Sequence, residues 1–242
     1  MVELVAELGQ LPARLIGDFC FYGLRSATPL KRSLHRLTQH QLLSRVELRL
    51  VGGAGGGSRQ FVYQLGKQGG RLLGMTKECP RFTRYDPHMV MTAECVGLVR
   101  QLEHTGQLAL LGFKGEDTAY TDVRDPSTGQ RIKLTPDAWL DVGVHEPRRR
   151  LELWLEVDRG TEHNSVQIAA KLARYVQAYR AWDTKRHGAV FPRIVFVAPD
   201  SRRVRRLWRE LGKVPAEFRI LFAVEEFATF PQAALTEVKS ID

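Results

Sequence analysis

Two stretches near the middle of the chain alternate acidic and apolar residues with the two-residue period of a β-strand. They read KLTPDAWLDVG, from Lys133, and LELWLEVD, from Leu151. Because strand side chains point alternately to opposite faces, Asp137, Trp139 and Asp141 share one face of the first strand. The acids on one face of the second strand are Glu152, Glu156 and Asp158. The sequence therefore predicts a sheet with a row of acids on one face.

A turn centred between Glu146 and Pro147 would pair these strands in antiparallel orientation. The predicted cross-strand pairs are Asp141 with Glu152, Trp139 with Trp154, and Asp137 with Glu156. Like charges directly opposite each other destabilise a sheet, so the acids are expected either to reach solvent or to hold a divalent cation. Mg²⁺ prefers one or two carboxylates with water and phosphate oxygens, and Asp137 with Glu156 is the predicted metal site. The alternative is the solvated face of a one-sided hairpin.

The helical segment SVQIAAKLARYVQAYRAW follows the second acidic strand. Four of its residues are spaced four apart and form one stripe: Gln167, Lys171, Tyr175 and Tyr179. A lysine beside a metal-bound water or a developing phosphorane charge suits phosphodiester cleavage, so Lys171 and Gln167 join the acids as candidate catalytic residues. The alternative is that the tyrosines belong to the core and that the lysine stem extends past them to solvent.

The remaining patterns indicate an α/β fold in the second part of the chain. Apolar runs typical of strands alternate with helical segments from residue 88 onward, including LALLGFKG, RIVFVAPD and FRILFAVEEF. RIKLTPDAWLDVGV is predicted as one continuous strand. The segment TKECPRFTRYDPH has two prolines and little periodicity, so residues 77–87 are predicted as a linker between domains spanning 1–76 and 88–242.

Basic charge is concentrated in the N-terminal part. The chain has a formal net charge of +9, and residues 1–80 hold eleven Lys or Arg against five acids. This part reads as a helix, a second helix starting near Thr28, and two strands joined by GGAGGG. That order is typical of a winged helix-turn-helix, which places its basic helix in the major groove of duplex DNA. The candidate DNA-binding residues are Lys31, Arg32, His35, Arg36 and, at the wing, Arg59. The alternatives are a solvated helix face and a glycine linker.

The sequence offers no membrane or thiolate signal. It has no apolar run of about 18 residues, and acids occupy the N-terminus where a signal peptide is basic, so we expect a cytoplasmic protein without a membrane partner. The cysteines, Cys20, Cys79 and Cys95, lack the spacing of a zinc site.

Two resemblances follow from these residues. The order helix, three strands, helix, strand, with Pro136, Asp137 and Glu156, resembles the PD-(D/E)XK nuclease superfamily, which implies a three-layer domain with a mixed central sheet. The whole chain, with LTPDAWLDV and LEVDRGTEHNSVQIAAKLARYVQAY, is similar to the replication-relaxation family of plasmids and other mobile elements. This second resemblance implies a role in replication, relaxation or mobilisation of such elements, with double-stranded DNA as partner.

The nuclease resemblance has one departure. The superfamily pattern expects Glu-x-Lys, whereas Asp158 stands at the lysine position, and a lysine supplied by the following helix would be Lys171. The resemblance also implies an acid from the first helix, Glu94 or Glu103, and leaves Asp158 as a third ligand or as a partner of Lys171. The expected function is a DNA-binding protein with a Mg²⁺- or Mn²⁺-dependent endonuclease domain. The alternative is a metal-free regulator or accessory factor, with a degenerate nuclease fold, that recruits a relaxase or replication protein. A homodimer is compatible with either.

Overall fold

The computed structural model describes residues 1–48, 60–75, 82–146, 148–160 and 165–232. The chain divides into two compact units, Met1–Gln101 and Leu102–Asp242. Helices and mixed sheets together confirm the predicted α/β class. Among the described residues, every helix is too short or too polar to cross a lipid bilayer.

The first unit combines helices with a small antiparallel sheet. Its elements are α1 (Val2–Leu8), β1 (Gln10–Pro12), α2 (Ala13–Cys20), α3 (Thr28–Gln39), β2 (Leu43–Leu48), β3 (Gln60–Leu65), α4 (Lys67–Leu72) and most of α5 (Pro87–His104). The strand order is β1-β3-β2, with both neighbours of β3 antiparallel to it. The predicted hairpin is therefore present as β2 and β3, whereas α1 and β1 were not predicted. The GGAGGG tip and Arg59 lie outside the described residues.

Helix α3 begins close to the predicted residue. Thr28 is the first helical residue, and its backbone N–H donates to the Ser26 hydroxyl at 3.2 Å. Pro29 stands in the first turn, where its missing N–H costs nothing. Leu34 is buried, which fixes the face of the helix that packs inward.

A buried pair of glutamines holds the segment before α5 against the sheet of the first unit. Gln10 Nε2 donates to Gln64 Oε1, and Gln10 Oε1 accepts from the Asp86 backbone N–H at 2.7 Å. Gln64 Nε2 donates in turn to the Phe82 carbonyl. Both glutamines are buried, so these hydrogen bonds replace the water that their amides would otherwise need.

Helix α5 packs mainly within the first unit. At Gly97 an added Cβ would lie 2.5 Å from Leu15 of α2, so the two helices are in close contact there. The predicted boundary, placed at residues 77–87 for their prolines and weak periodicity, assigned this helix to the second domain. The division between the compact units instead follows Gln101, and the predicted linker at 77–87 lies partly outside the described residues.

The second unit is built on a mixed five-stranded sheet. Its elements are β4 (Leu108–Gly115), α6 (Glu116–Ala119), β5 (Thr121–Arg124), β6 (Arg131–Leu134), β7 (Ala138–Val144), β8 (Arg149–Val157), α7 (Ser165–Arg180), α8 (Thr184–His187), β9 (Arg193–Ala198), α9 (Ser201–Leu211), α10 (Ala216–Arg219) and β10 (Phe222–Glu226). The order is β10-β9-β8-β7-β4, antiparallel from β4 to β8 and parallel from β8 to β10. β5 and β6 form a separate hairpin.

The predicted strand at 131–144 is wrong in one respect, because it is two strands. β6 ends at Leu134 and pairs with β5, and β7 begins at Ala138 and pairs with β4 and β8. Pro136 lies in the break between the two strands. Proline has no backbone N–H and therefore cannot donate a hydrogen bond within a central strand. The break places Asp137 immediately before β7.

One face of the sheet packs on helices α7 and α9. Trp154 of β8 and Phe196 of β9 belong to the same buried cluster as Tyr175 of α7 and Leu207 of α9. The Trp154 ring lies 5.8 Å from the Tyr175 ring and meets Phe191 edge-on at 5.2 Å. Because even-numbered residues of β8 point to this face, Glu156 points to the side covered by α7.

Candidate functional site

The pairing of β7 with β8 is the predicted one. Trp139 lies opposite Trp154 and Asp141 opposite Glu152, which confirms the predicted register. The ladder ends at Ala138 opposite Leu155, and one step further the Asp137 backbone N–H donates to the Leu155 carbonyl at 2.9 Å. This hydrogen bond fixes Asp137 beside the end of β8.

Asp137 is held by the backbone of the neighbouring strand. Its Oδ2 accepts the Val157 N–H at 2.6 Å, and the residue is half-buried. A charge-assisted hydrogen bond of this kind orients a carboxylate without neutralising it. Asp137 therefore presents a negative charge directly beside the strand that bears Glu156.

Glu156 is a buried carboxyl group with two side-chain donors. Its side chain is 3% exposed, Lys171 Nζ donates to Oε2 at 2.7 Å, and the Tyr175 hydroxyl donates to Oε1. Burial raises the pKa of Glu156 to about 7, the charge of Lys171 opposes this shift, and the nearby charge of Asp137 adds to it. Burial and the Glu156 charge also raise the pKa of Tyr175 well above its ordinary value. Asp137 and Glu156 are therefore close enough for one charge to disfavour the other.

The predicted stripe on α7 is only partly directed at this site. Lys171 and Tyr175 both reach Glu156, which combines the two interpretations weighed for them: Tyr175 is a core residue and also a hydrogen-bond donor. Gln167 lies exposed one turn before Lys171. Tyr179 is 43% exposed and packs its ring edge-on against Phe191. The site geometry thus comprises Asp137, Glu156, Lys171 and Tyr175.

The second opposed pair of acids, Asp141 and Glu152, is stabilised by neighbours that were not predicted. Asp141 is 6% exposed, so the expectation that it reaches solvent is wrong for this residue. Arg150 donates from Nε and Nη2 to the two Asp141 oxygens at 2.8 and 2.7 Å. Trp139 Nε1 donates to Glu152 at 3.3 Å. An arginine two residues from Glu152 on the same strand face was the available signal.

Asp158 has a different partner from the one predicted. Arg203 of α9 donates from Nε and Nη2 to Asp158 Oδ2 at 2.9 and 2.7 Å, and the Gly160 N–H donates to Oδ1. Lys171 bonds Glu156 instead. The prediction that Asp158 orients Lys171 is therefore corrected: Asp158 pairs with Arg203 instead. Both side chains of this pair are nearly buried. Arg203 lies four residues before Leu207, on the same face of α9, so its burial was predictable from the sequence. A buried arginine needs an acidic partner.

The hydrogen bonds described for the two candidate acids of α5 are to groups other than Asp137 and Glu156. Glu103 Oε1 accepts the Leu110 N–H at 3.0 Å, and Glu94 Oε1 accepts from Arg14 within the first unit. Among the described residues there is no group of three or more His, Cys, Asp or Glu side chains arranged to hold a metal. Mg²⁺ nevertheless needs only one or two carboxylates. Asp137 and Glu156 fit this requirement, because the carboxylate oxygens that accept the hydrogen bonds described above each keep a second lone pair.

The basic residues of α3 are on its surface. Lys31, Arg32, His35 and Arg36 are exposed, whereas Leu34 is buried. A groove of about 490 Å³ runs beside this helix and is lined in part by Lys31, His35 and Arg45. The described part of the predicted DNA-binding surface is therefore accessible to a ligand.

These features can be set beside known proteins. A family model for replication-relaxation matches residues 2–194, and the chain belongs to this family. Membership associates the chain with replication or relaxation of plasmids and mobile elements. Comparison with curated proteins and with solved structures found no match.

Proposed function

We propose that the chain is a DNA-binding protein of plasmid or mobile-element replication whose second unit is a Mg²⁺-dependent endonuclease. The observation that carries the proposal is the meeting of Asp137, Glu156 and Lys171 at the ends of adjacent strands. Paired carboxylates with a lysine are a recurrent way of cleaving phosphodiesters, and structural hydrogen bonds do not require a buried acid beside a half-buried one.

The order of elements supports a nuclease-like second unit. Strands β4, β7 and β8 form an antiparallel meander, and α7 then leads into β9, which is parallel to β8. In the proposed site Asp137 and Glu156 hold the ion, which would polarise a phosphate oxygen and activate water. Lys171 places a cation where charge develops at the phosphate, and Tyr175 keeps the Glu156 carboxylate in position.

The first unit supports the DNA-binding half of the proposal. Its elements run helix, strand, helix, helix, hairpin, with β1 paired to β3, as in a winged helix-turn-helix. The exposed basic face of α3 would lie against the major groove. A solvated basic face alone would not need the adjoining groove lined by Lys31 and His35.

A cleavage assay tests the enzymatic half. Supercoiled, linear and branched DNA are incubated with the full chain in Mg²⁺, in Mn²⁺ and in EDTA. We expect metal-dependent cleavage that Asp137→Asn and Glu156→Gln each abolish, and that Lys171→Met slows without changing metal affinity. Because metal binding needs ionised carboxylates, the rate at sub-saturating Mg²⁺ should rise as the pH is raised. Wild-type cleavage retained in Asp137→Asn would refute the assignment.

One observation favours a second function, that of a non-enzymatic accessory factor. The position where the nuclease pattern has lysine holds Asp158, and this carboxylate is tied to Arg203. A scaffold of this kind would recruit a relaxase or replication protein and bind no ion. Calorimetric titration with Mn²⁺ separates the two functions, since heat that disappears in Asp137→Asn supports the endonuclease and a flat titration supports the scaffold.

A further inference from the structure

A strongly basic groove of about 770 Å³ lies in the second unit, at the ends of β8 and β9 and along α9. Six of its lining residues are basic: Arg159, Arg202, Arg203, Arg206, Arg209 and Lys213. The sequence analysis assigned none of them a role. Arg159 and Gly160 come directly after β8, the strand that bears Glu156, so one end of the groove begins close to the carboxylate site in the chain.

The acids of the groove are already engaged within the protein. Asp200 caps α9 by accepting the Arg203 N–H at 2.8 Å. Glu210 accepts from Lys213 at 2.6 Å, and Asp158 is bonded to Arg203. The exposed arginines that remain, Arg159, Arg202 and Arg209, give the groove a positive field.

The spacing of the arginines suits a linear polyanion. Arg202, Arg206 and Arg209 follow one another at intervals of four and three residues, so they form a single stripe along α9. At about 1.5 Å of rise per residue the stripe is roughly 10 Å long. The stripe is therefore long enough to contact more than one phosphate of a DNA strand. The planar guanidinium fork also matches phosphate oxygens better than an ammonium does.

We propose that this groove binds the sugar-phosphate backbone of a DNA strand and directs it towards the carboxylate site. The link to that site rests on the proposed function, whereas backbone binding needs no metal. An anionic membrane is a poorer fit, because a concave groove cannot lie flat on a surface and binding there needs inserted apolar side chains. An acidic peptide would also complement the positive charge of the groove, so peptide binding is one outcome of the test.

Charge repulsion within α9 is consistent with an anionic ligand. Like charges three and four residues apart on a helix destabilise it, and five of the eleven residues of SRRVRRLWREL are arginine. A bound phosphate backbone would relieve this repulsion.

The test is the salt dependence of DNA binding by the full chain in EDTA, followed by fluorescence anisotropy. The groove variant is Arg202→Ala with Arg209→Ala, two exposed arginines of the stripe. The matched control is Lys185→Ala with Arg186→Ala, two exposed basic residues of α8 outside the groove lining. We expect the log-log salt slope of the groove variant to fall by about 1.4 on single-stranded DNA or about 1.8 on duplex DNA, and that of the control to stay near wild type.

The same measurement separates this inference from the proposed function. Arg32→Ala with Arg36→Ala tests the first unit, so a loss confined to that variant overturns the groove and leaves the winged helix standing. Equal slopes for groove and control variants overturn it as well. If the groove variant loses polyglutamate binding but keeps DNA binding, the groove is a peptide site. Arg159→Ala with Arg202→Ala repeats the test at one end of the groove if the first variant does not fold.

Discussion

The ionisation of Glu156 makes the stability of the second unit depend on pH. Its pKa of about 7 in the folded protein lies above the 4.5 of an ordinary glutamate. A raised folded pKa contributes stability that is fully present below about pH 4.5 and is lost as the pH rises through about 7. Glu156→Gln removes this pH-dependent loss of stability, because glutamine does not ionise. We expect its free energy of unfolding at pH 8 to exceed that of wild type by roughly 1–3 kcal/mol, measured by urea denaturation without metal.

Glu152→Gln is the matched control for that measurement. It changes an acid on the same face of β8 but leaves Glu156 and Lys171 in place, so the fall in stability between about pH 4.5 and about pH 7 should persist. A Glu156→Gln variant that keeps the wild-type pH profile would contradict the assignment of the raised pKa.

The buried pair of Asp158 and Arg203 has the opposite effect on stability. Removing one partner leaves a charge that the side chain cannot expose to water, since Arg203 is 7% exposed. We expect Asp158→Ala to lower the free energy of unfolding by about 3–5 kcal/mol, by urea denaturation at pH 7. Replacing both residues, Asp158→Leu with Arg203→Met, should recover most of the loss. A loss below about 1 kcal/mol would mean that solvent reaches the pair.

At the scale of single residues, the sequence was informative wherever a short period fixes direction. The two-residue period put Asp137 and Glu156 on one face, and the four-residue period put Lys171 and Tyr175 on one stripe. Periodicity does not name a partner from a distant element. Arg203 is forty-five residues from Asp158, and only the packing of α9 brings the two together.

At the scale of elements, a close approach of backbone to backbone limits what α4 can contain. A Cβ at Gly69 would lie 2.2 Å from the Leu42 carbonyl oxygen. Because a main-chain atom cannot move aside as a side chain does, Gly69→Ala should lower the melting temperature of the first unit, with a loss of roughly 2 kcal/mol or more. Gly212→Ala is the control, since Gly212 has right-handed helical φ and ψ and its added Cβ meets nothing closer than 3.4 Å.

Most elements of the second unit were predictable from local patterns. The strand LALLGFKG coincides with β4, and the predicted helix at 165–182 contains α7. The split at Pro136 was not predicted, because the apolar alternation continues through it. β1 was also missed, since three residues are too few to show a period and its pairing with β3 is set by tertiary contacts.

At the scale of the whole molecule, basic charge is placed on both compact units. Arg32→Ala with Arg36→Ala should weaken binding to duplex DNA and lower the log-log salt slope by about 1.8, since each lost phosphate contact removes about 0.9. Titration of labelled duplex at several salt concentrations measures the slope. Lys185→Ala with Arg186→Ala, on exposed residues of α8, controls for net charge. An unchanged slope would return α3 to the interpretation of a solvated face.

The juxtaposition of Asp137 and Glu156 also bears on descent. Natural chains drift towards substitutions that remove a folding burden when function no longer opposes them. Neutralising Glu156 removes such a burden, so in a lineage that had abandoned the chemistry this acid should be among the first residues to disappear. Trp154, whose ring serves packing alone, would remain. The proposed endonuclease therefore predicts that related chains keep both acids, whereas the accessory-factor alternative predicts that they lose Glu156 and keep Trp154.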